Sequence, residues 1–260
     1  MAHPPTTVEC LEAFMSDASP SLYGGSPEPP KPKAPGLLDQ VAGVFTEPTA
    51  LFDRLRQSPS WGPAAALLTV FGVVLSVVWG LKVDADQMLR PILERNPHVD
   101  PSQIDNLVEI QKRFILPMGI IGALVSTVLL FLLAAFLYWL VGKAMAEDHP
   151  PTYSQALSAA AVPSLVRLPA LLLIILICLL RPIGGQTPEK IAPTSLGFFV
   201  SVDNLKLQTL LYCADLFLIA ERILDYLALR RITRLKTGGA LLCVAVVVLV
   251  TVGGRVLGAR

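Results

Sequence analysis

Five long apolar runs constrain this chain more than any other feature of its 260 residues. An α-helix rises about 1.5 Å per residue, so roughly 20 apolar residues cross a hydrocarbon core of about 30 Å. The runs therefore predict an all-α fold, a polytopic membrane helix bundle with five transmembrane helices. The predicted spans are residues 61–82, 114–142, 160–181, 207–229 and 238–255.

The composition agrees with a membrane protein that has no enzymatic activity. Hydrophobic residues make up 53% of the chain and charged residues 16%, against about 25% charged residues in soluble domains. The net charge of +1 gives no field that would attract nucleic acid. Catalytic and phosphate-binding motifs and clustered metal ligands are missing from the sequence, so we expect no small-molecule substrate, cofactor or metal.

The 60 residues before the first span divide into two segments. Residues 1–36 are rich in proline and poor in apolar side chains, which predicts a disordered tail. Residues 37–60 are predicted to form a short amphipathic juxtamembrane helix, since Leu51, Phe52 and Leu55 recur at helical spacing. Such a helix lies in the plane of the lipid headgroups; the alternative is a lid that packs on the bundle. The membrane domain then covers residues 61–258.

The third apolar segment differs from the others because Pro163 and Pro169 interrupt it, with Arg167 between them. Proline removes a backbone hydrogen bond and kinks a helix. In lipid, the freed carbonyl groups need partners from other helices or side chains. We therefore expect this segment to lie at the centre of the bundle.

The fourth run is unusual in carrying several ionisable groups, which together with Arg167 form the candidate site. An unpaired charge at mid-bilayer costs at least about 2.5–3.5 kcal/mol. We therefore predict an intramembrane polar cluster in which Arg167 pairs with Glu221 or Asp225. Its role is structural or functional; a proton relay or ion site is the alternative to structural pairing. The residues are Arg167, Asp215, Glu221, Arg222 and Asp225.

Basic residues give a preference for one orientation. The raw count of Lys and Arg near the membrane favours an external N-terminus. The densest basic block, residues 230–236, nevertheless lies in a very short loop, and short loops carry most weight in the positive-inside rule. We therefore predict a cytoplasmic N-terminus and a C-terminus on the opposite side.

The ordered motifs resemble the YIP family of membrane proteins. An amphipathic Phe45-x-x-Pro48-x-x-x-Phe52 element precedes the spans, and Asp215-x-Phe217 lies in the fourth. The third segment begins with Tyr153-Ser154-Gln155-Ala156-Leu157, with Pro163 following. The resemblance implies five spans and a cytoplasmic N-terminus. Eukaryotic relatives are trafficking proteins that engage Rab GTPases, a role we do not transfer. The Arg/Ala/Leu/Val-rich composition suggests a bacterial chain, hence the inner (cytoplasmic) membrane.

Two functional hypotheses follow. The first is a non-enzymatic scaffold or membrane-organising, trafficking-like protein that acts through lipid and protein contacts, with membrane-protein partners or further copies of itself. The second is a small transporter or channel that uses the intramembrane charges Asp215, Glu221 and Arg222.

Overall fold

The described residues, 33–145 and 150–258 of a computed structural model, are helical with no β-strand among them, which confirms the all-α prediction. Most of the predicted tail, residues 1–32, lies outside the described part of the chain. A 3₁₀ turn at Pro101–Gln103 precedes the helix Ile104–Met145, and another at Pro163–Arg167 joins the helices Tyr153–Ala161 and Leu168–Leu180. The α-helices are α1 Leu37–Thr46, α2 Pro48–Gln57, α3 Gly62–Lys82, α4 Ala85–Glu94, α5 Ile104–Met145, α6 Tyr153–Ala161, α7 Leu168–Leu180, α8 Pro188–Ile191, α9 Leu196–Phe199, α10 Leu205–Cys213, α11 Leu216–Arg231 and α12 Thr237–Gly258.

Four helical segments among residues 33–145 and 150–258 are long and apolar enough to cross a membrane, and the protein is an integral membrane protein. They correspond to the first, second, third and fifth predicted spans. The segments are Gly62–Lys82, Pro101–Met145, Tyr153–Leu180 and Thr237–Gly258.

The fourth predicted span, residues 207–229, is divided into α10 and α11. The division falls at Asp215, whose carboxylate accepts hydrogen bonds from the backbone N–H groups of Phe217 and Leu218. A side chain that caps the first turn of one helix ends the preceding helix at the same point. The predicted number of five spans is therefore met only when α10 and α11 are counted together as one broken helix.

Helix α5 is longer than the predicted second span because it begins at Ile104 rather than near residue 114. Its 42 residues extend about 63 Å at 1.5 Å per residue, twice the thickness of a hydrocarbon core. The N-terminal turns pack on α4 through Leu93, Ile104 and Val108. An Arg90–Asp105 ion pair of 2.8 Å joins the same two helices at the surface.

The proline-broken segment, α6 through α7, lies at the centre of the bundle, as the sequence predicts. Half of its most apolar stretch is buried, against 6% for the stretch that includes α5 and 11% for α3 and for α12. Pro163 cannot donate a backbone hydrogen bond, and the chain turns there with a tighter Leu165 N–H to Val162 carbonyl bond. Small residues of α6 make close packing possible, since Ala156, Ala159 and Ala161 have no exposed surface.

Helices α1 and α2 cover one end of the bundle, and we call them together the lid. The predicted amphipathic segment is thus helical but interrupted at Glu47, just before Pro48. Leu51, Phe52 and Leu55 are completely buried against the bundle. This packing corresponds to a lid on the bundle, which is the alternative that the sequence leaves open. That the two helices lie at the level of the lipid headgroups stays a prediction.

Polar contacts fasten the lid to the bundle. The Gln40 side chain donates to the Ser60 carbonyl at 2.8 Å, just before α3. Gln155 of α6 donates to the Arg56 carbonyl at 2.8 Å, and Arg231 of α11 contacts Asp53 at 3.4 Å. The lid therefore contacts the starts of α3 and α6 and the end of α11, which all lie at the same end of the bundle.

We expect Phe52→Ala to destabilise the protein by about 3–5 kcal/mol, because it opens a cavity between the lid and the bundle. Phe45→Ala is the matched control, since Phe45 lies in the same lid and is 49% exposed. Thermal unfolding in detergent, with limited proteolysis near residue 58, measures both variants. Equal losses for the two variants would contradict the packing described here.

Candidate functional site

The candidate site is built on α11, which carries three charged residues toward the centre of the bundle. Glu221 and Asp225 are one helical turn apart and therefore share a face. They are 3% and 2% exposed, respectively. This face packs on the 3₁₀ turn Pro163–Arg167 and on α6. We call Arg167, Glu221, Arg222 and Asp225 together the charge cluster.

Arg222 is the central cation of the charge cluster. One guanidinium nitrogen, Nη1, lies 2.7 Å from Asp225 Oδ2, and the other, Nη2, lies 2.9 Å from Glu221 Oε2. The 2.9 Å separation makes the contact with Glu221 a close ion pair. Two buried carboxylates therefore depend on a single guanidinium group.

The remaining oxygen of Glu221 is satisfied by a hydroxyl group. Ser164 Oγ donates to Glu221 Oε1 at 2.6 Å, and Ser164 itself is 4% exposed. The 3₁₀ turn that Pro163 starts carries Ser164 toward α11. Ser164 is not among the site residues predicted from the sequence, although a serine directly after the helix-breaking proline is a detectable signal.

Arg167 lies at the edge of the charge cluster. Its Nε atom is 4.0 Å from Glu221 Oε2, and its side chain is 41% exposed. That distance is the outer limit of an ion pair, so Arg167 contributes less attraction than Arg222 does. The structure thus brings the predicted Arg167–Glu221 partners together, while the strength of their pairing stays a prediction.

Asp215 stands apart from the charge cluster at the first turn of α11. It caps the helix, and its second oxygen accepts a hydrogen bond from the Thr194 hydroxyl. The backbone beside it pairs with the loop before α9, through Leu196 N–H to the Ala214 carbonyl at 3.0 Å and Leu216 N–H to the Thr194 carbonyl at 3.0 Å. Asp215 therefore has the geometry of a structural cap.

Tyr138 of α5 borders the charge cluster from the other side. It is 1% exposed and belongs to the same buried core as Leu224 and Ala228 of α11. A buried aromatic ring in this core helps to keep water away from the charges of α11, and ion pairs are stronger where water is excluded. The sequence does not connect Tyr138 with the site, because nothing in the pattern fixes the rotation of a long apolar helix.

The charge cluster consists of charges that pair with one another. Two carboxylates and two guanidinium groups have a formal charge sum of zero. Within residues 33–145 and 150–258, no group of three or more His, Cys, Asp and Glu side chains is arranged to hold a metal ion. The arrangement is that of a buried, internally neutralised network that joins α11 to the proline-broken segment.

We expect Arg222→Leu to lower the free energy of unfolding by about 3–5 kcal/mol, because two buried carboxylates lose their main counter-charge. Arg230→Leu on the same helix is the matched control; Arg230 is exposed and bonded only to Thr237 in the described structure, so its loss should be below about 1 kcal/mol. Unfolding in mixed micelles measures both variants. Similar small losses would show that Arg222 is not the central cation.

Comparison with known proteins agrees with this architecture. The Yip1 domain matches residues 42–257, most of the chain. Membrane protein YknW from Bacillus subtilis (strain 168) is 26% identical over 125 residues, 48% of this chain and 50% of that protein. The chain thus spans about half the length of the curated relative it matches. No solved structure matches it. Because the Yip1 domain extends from the lid to the last turns of α12, the chain belongs to the Yip1 domain family of membrane proteins.

Proposed function

We propose that this protein is a non-enzymatic scaffold that organises membrane components through contacts with lipid and with other membrane proteins. The observation that carries the proposal is that the charges of the charge cluster are paired within the same chain. Glu221 and Asp225 are held by Arg222, Ser164 and Arg167 of the same chain. Charges that neutralise one another inside a bundle stabilise it and leave no free group for a reaction.

The outer surface supports the same proposal. Only 6% of the most apolar stretch in the helix containing α5 is buried, so nearly all of it is available to lipid or to a partner helix. Ile121, Val125 and Leu133 of α5 are each more than half exposed. In lipid, no hydrophobic force drives helices together. An exposed apolar helix surface therefore associates with another helix through close packing. Further copies of this chain or other membrane proteins are the partners that fit this surface.

The lid offers a second contact surface outside the bilayer. Its inner face is buried, whereas Leu38 of α1 is 83% exposed and Phe45 is 49% exposed. Exposed apolar side chains beside a membrane are suited to contact with a protein partner or with headgroups. This surface lies at the end of the bundle where α6 begins and α11 ends.

The charge distribution supports a cytoplasmic position of the lid in a bacterial inner membrane. Arg231 at the end of α11 contacts Asp53 of the lid, which brings the basic block of residues 230–236 beside Arg54 and Arg56. The positive-inside rule assigns such a concentration of arginine to the cytoplasmic side. The N-terminus is then cytoplasmic and the end of α12 lies on the opposite side.

We expect a photo-crosslinking amino acid at Leu38 to give discrete protein adducts in native membranes, because the lid is exposed outside the bilayer. The control carries the same amino acid at Leu249 of α12, which is 71% exposed within a span. Adducts are separated by electrophoresis and identified by mass spectrometry. The absence of any protein adduct at both positions would contradict a scaffold.

A flux measurement separates this proposal from a transporter. We expect proteoliposomes of the wild-type protein and of Asp215→Asn to show proton and ion fluxes equal to those of empty liposomes. The physical reason is that the Asp215 carboxylate caps α11 and the charges of the charge cluster are paired with one another. Flux in the wild type that disappears in Asp215→Asn would replace the scaffold proposal with transport.

A further inference from the structure

A cavity of about 510 Å³ opens at the end of the bundle away from the lid. Its lining comes from the end of α7, from α8, α9 and α10, and from the loops between them, and it includes Arg181, Gln186 and Lys190. Trp79 at the end of α3 donates to the Gln186 carbonyl at 2.9 Å, which ties the loop after α7 to the bundle. The cavity therefore begins where two spans end.

The cavity has an excess of positive charge. Arg181 and Lys190 are the charged side chains that line it, and no carboxylate lines it among the described residues. Neither cation forms an ion pair within the part of the chain that the structure describes. The neighbouring Glu189 lines a separate cavity of about 160 Å³ beside Asp215. Asp203 lies in the loop before α10 and does not line either cavity.

Hydrogen bonds and close packing hold the part of the lining that comes from α9 and α10. Gln208 of α10 donates to the carbonyls of Gly197 and Val200 at 2.9 and 3.3 Å, and it accepts from Val202 N–H at 2.8 Å. Gly197 lies so close to Tyr212 that a Cβ atom there would come within 2.5 Å of the ring. A wall held in this way keeps the cavity open at little entropic cost when a ligand binds.

The lining of the cavity is partly apolar. Phe198 and Leu205 line it and are 40% and 45% exposed. Ser201 and Gln186 add polar groups to the two cations of the lining. A lining that combines exposed cations and polar groups with exposed apolar side chains, placed at the end of a membrane span, fits a phosphate group that carries acyl chains.

We propose that this cavity binds a phosphate-type anion, with Arg181 and Lys190 as its counter-charges. A guanidinium group matches phosphate oxygens with two parallel hydrogen bonds, and a lysine ammonium adds a point charge. The ligand is either the phosphodiester of an anionic lipid headgroup or a free phosphate ion. The inference does not depend on the proposed scaffold role, since it concerns one cavity and not a protein partner.

The test compares ligands and matched variants in full-length protein. Purified protein in neutral detergent receives phosphatidylglycerol or phosphatidylcholine, and separately sodium phosphate or sodium chloride at equal ionic strength. The thermal midpoint as a function of ligand concentration gives the apparent affinity. R181Q/K190Q removes the two cations of the cavity. K82Q/K206Q removes two cations outside its lining, from the end of α3 and the start of α10, and leaves the lining unchanged.

We expect R181Q/K190Q to bind about 25-fold more weakly, since each basic side chain near an anionic headgroup contributes roughly fivefold. K82Q/K206Q should change the affinity less than about twofold. A response to phosphatidylglycerol alone identifies a lipid headgroup, and a response to inorganic phosphate identifies a free anion. The proposal is overturned if neither ligand stabilises the protein or if both double variants lose affinity equally. Should R181Q/K190Q not fold, the single variants R181Q and K190Q must each lose about fivefold.

Discussion

The burial of α11 charges in the middle of a membrane protein is the constraint on which the rest of the structure depends. Glu221 and Asp225 are almost fully enclosed, and an unpaired carboxylate in that position would destabilise the bundle by several kcal/mol. Arg222 from the same helix pairs with both carboxylates, Arg167 brings the second positive charge to the edge of the charge cluster, and Ser164 donates a hydrogen bond to Glu221. The proline-broken segment must therefore lie against α11, and this explains why it is the most buried span.

The break at Pro163 and the break at Asp215 have complementary roles. The first carries Ser164 to the charge cluster by tightening the chain into a 3₁₀ turn. The second starts α11 with a side-chain cap and ties it to the loop before α9 through Thr194. Both irregular points occur inside apolar segments, and neighbouring groups bond to the backbone at each: Ser164 Oγ lies 3.3 Å from the Ala160 carbonyl oxygen, and Leu216 N–H donates to the Thr194 carbonyl at 3.0 Å. That is the condition under which irregular backbone is tolerated within a membrane.

The lid also contacts α6 and α11 at one end of the bundle. Arg231 at the end of α11 contacts Asp53, and Gln155 in the first turn of α6 donates to the Arg56 carbonyl. The two elements that meet at the charge cluster are therefore held together a second time at the lid. Any partner that displaced the lid would loosen the contact between α6 and α11, which connects the proposed scaffold surface with the interior.

Much of this fold could be predicted from the sequence, because hydropathy and length alone identify α3, α5, the α6–α7 segment and α12. The break before α11 could not be predicted, because a single aspartate that caps a helix changes the average hydropathy of an apolar run only slightly. The sequence predicts that Arg167 pairs with Glu221 or Asp225; in the structure Arg167 Nε lies 4.0 Å from Glu221 Oε2, and the Arg222 guanidinium lies closer to both carboxylates. Ser164 and Tyr138 were not predicted as members of the site, because the rotation of each helix depends on tertiary packing.

The most direct test of this account is a double-mutant cycle between Arg222 and Asp225, measured as unfolding free energies in bilayer-forming lipid. The variants are Arg222→Leu, Asp225→Leu and the double substitution. The account predicts a coupling of about 1–3 kcal/mol, with the double variant more stable than the sum of the single losses implies. Losses that add within about 0.5 kcal/mol would contradict the claim that this pair organises the bundle.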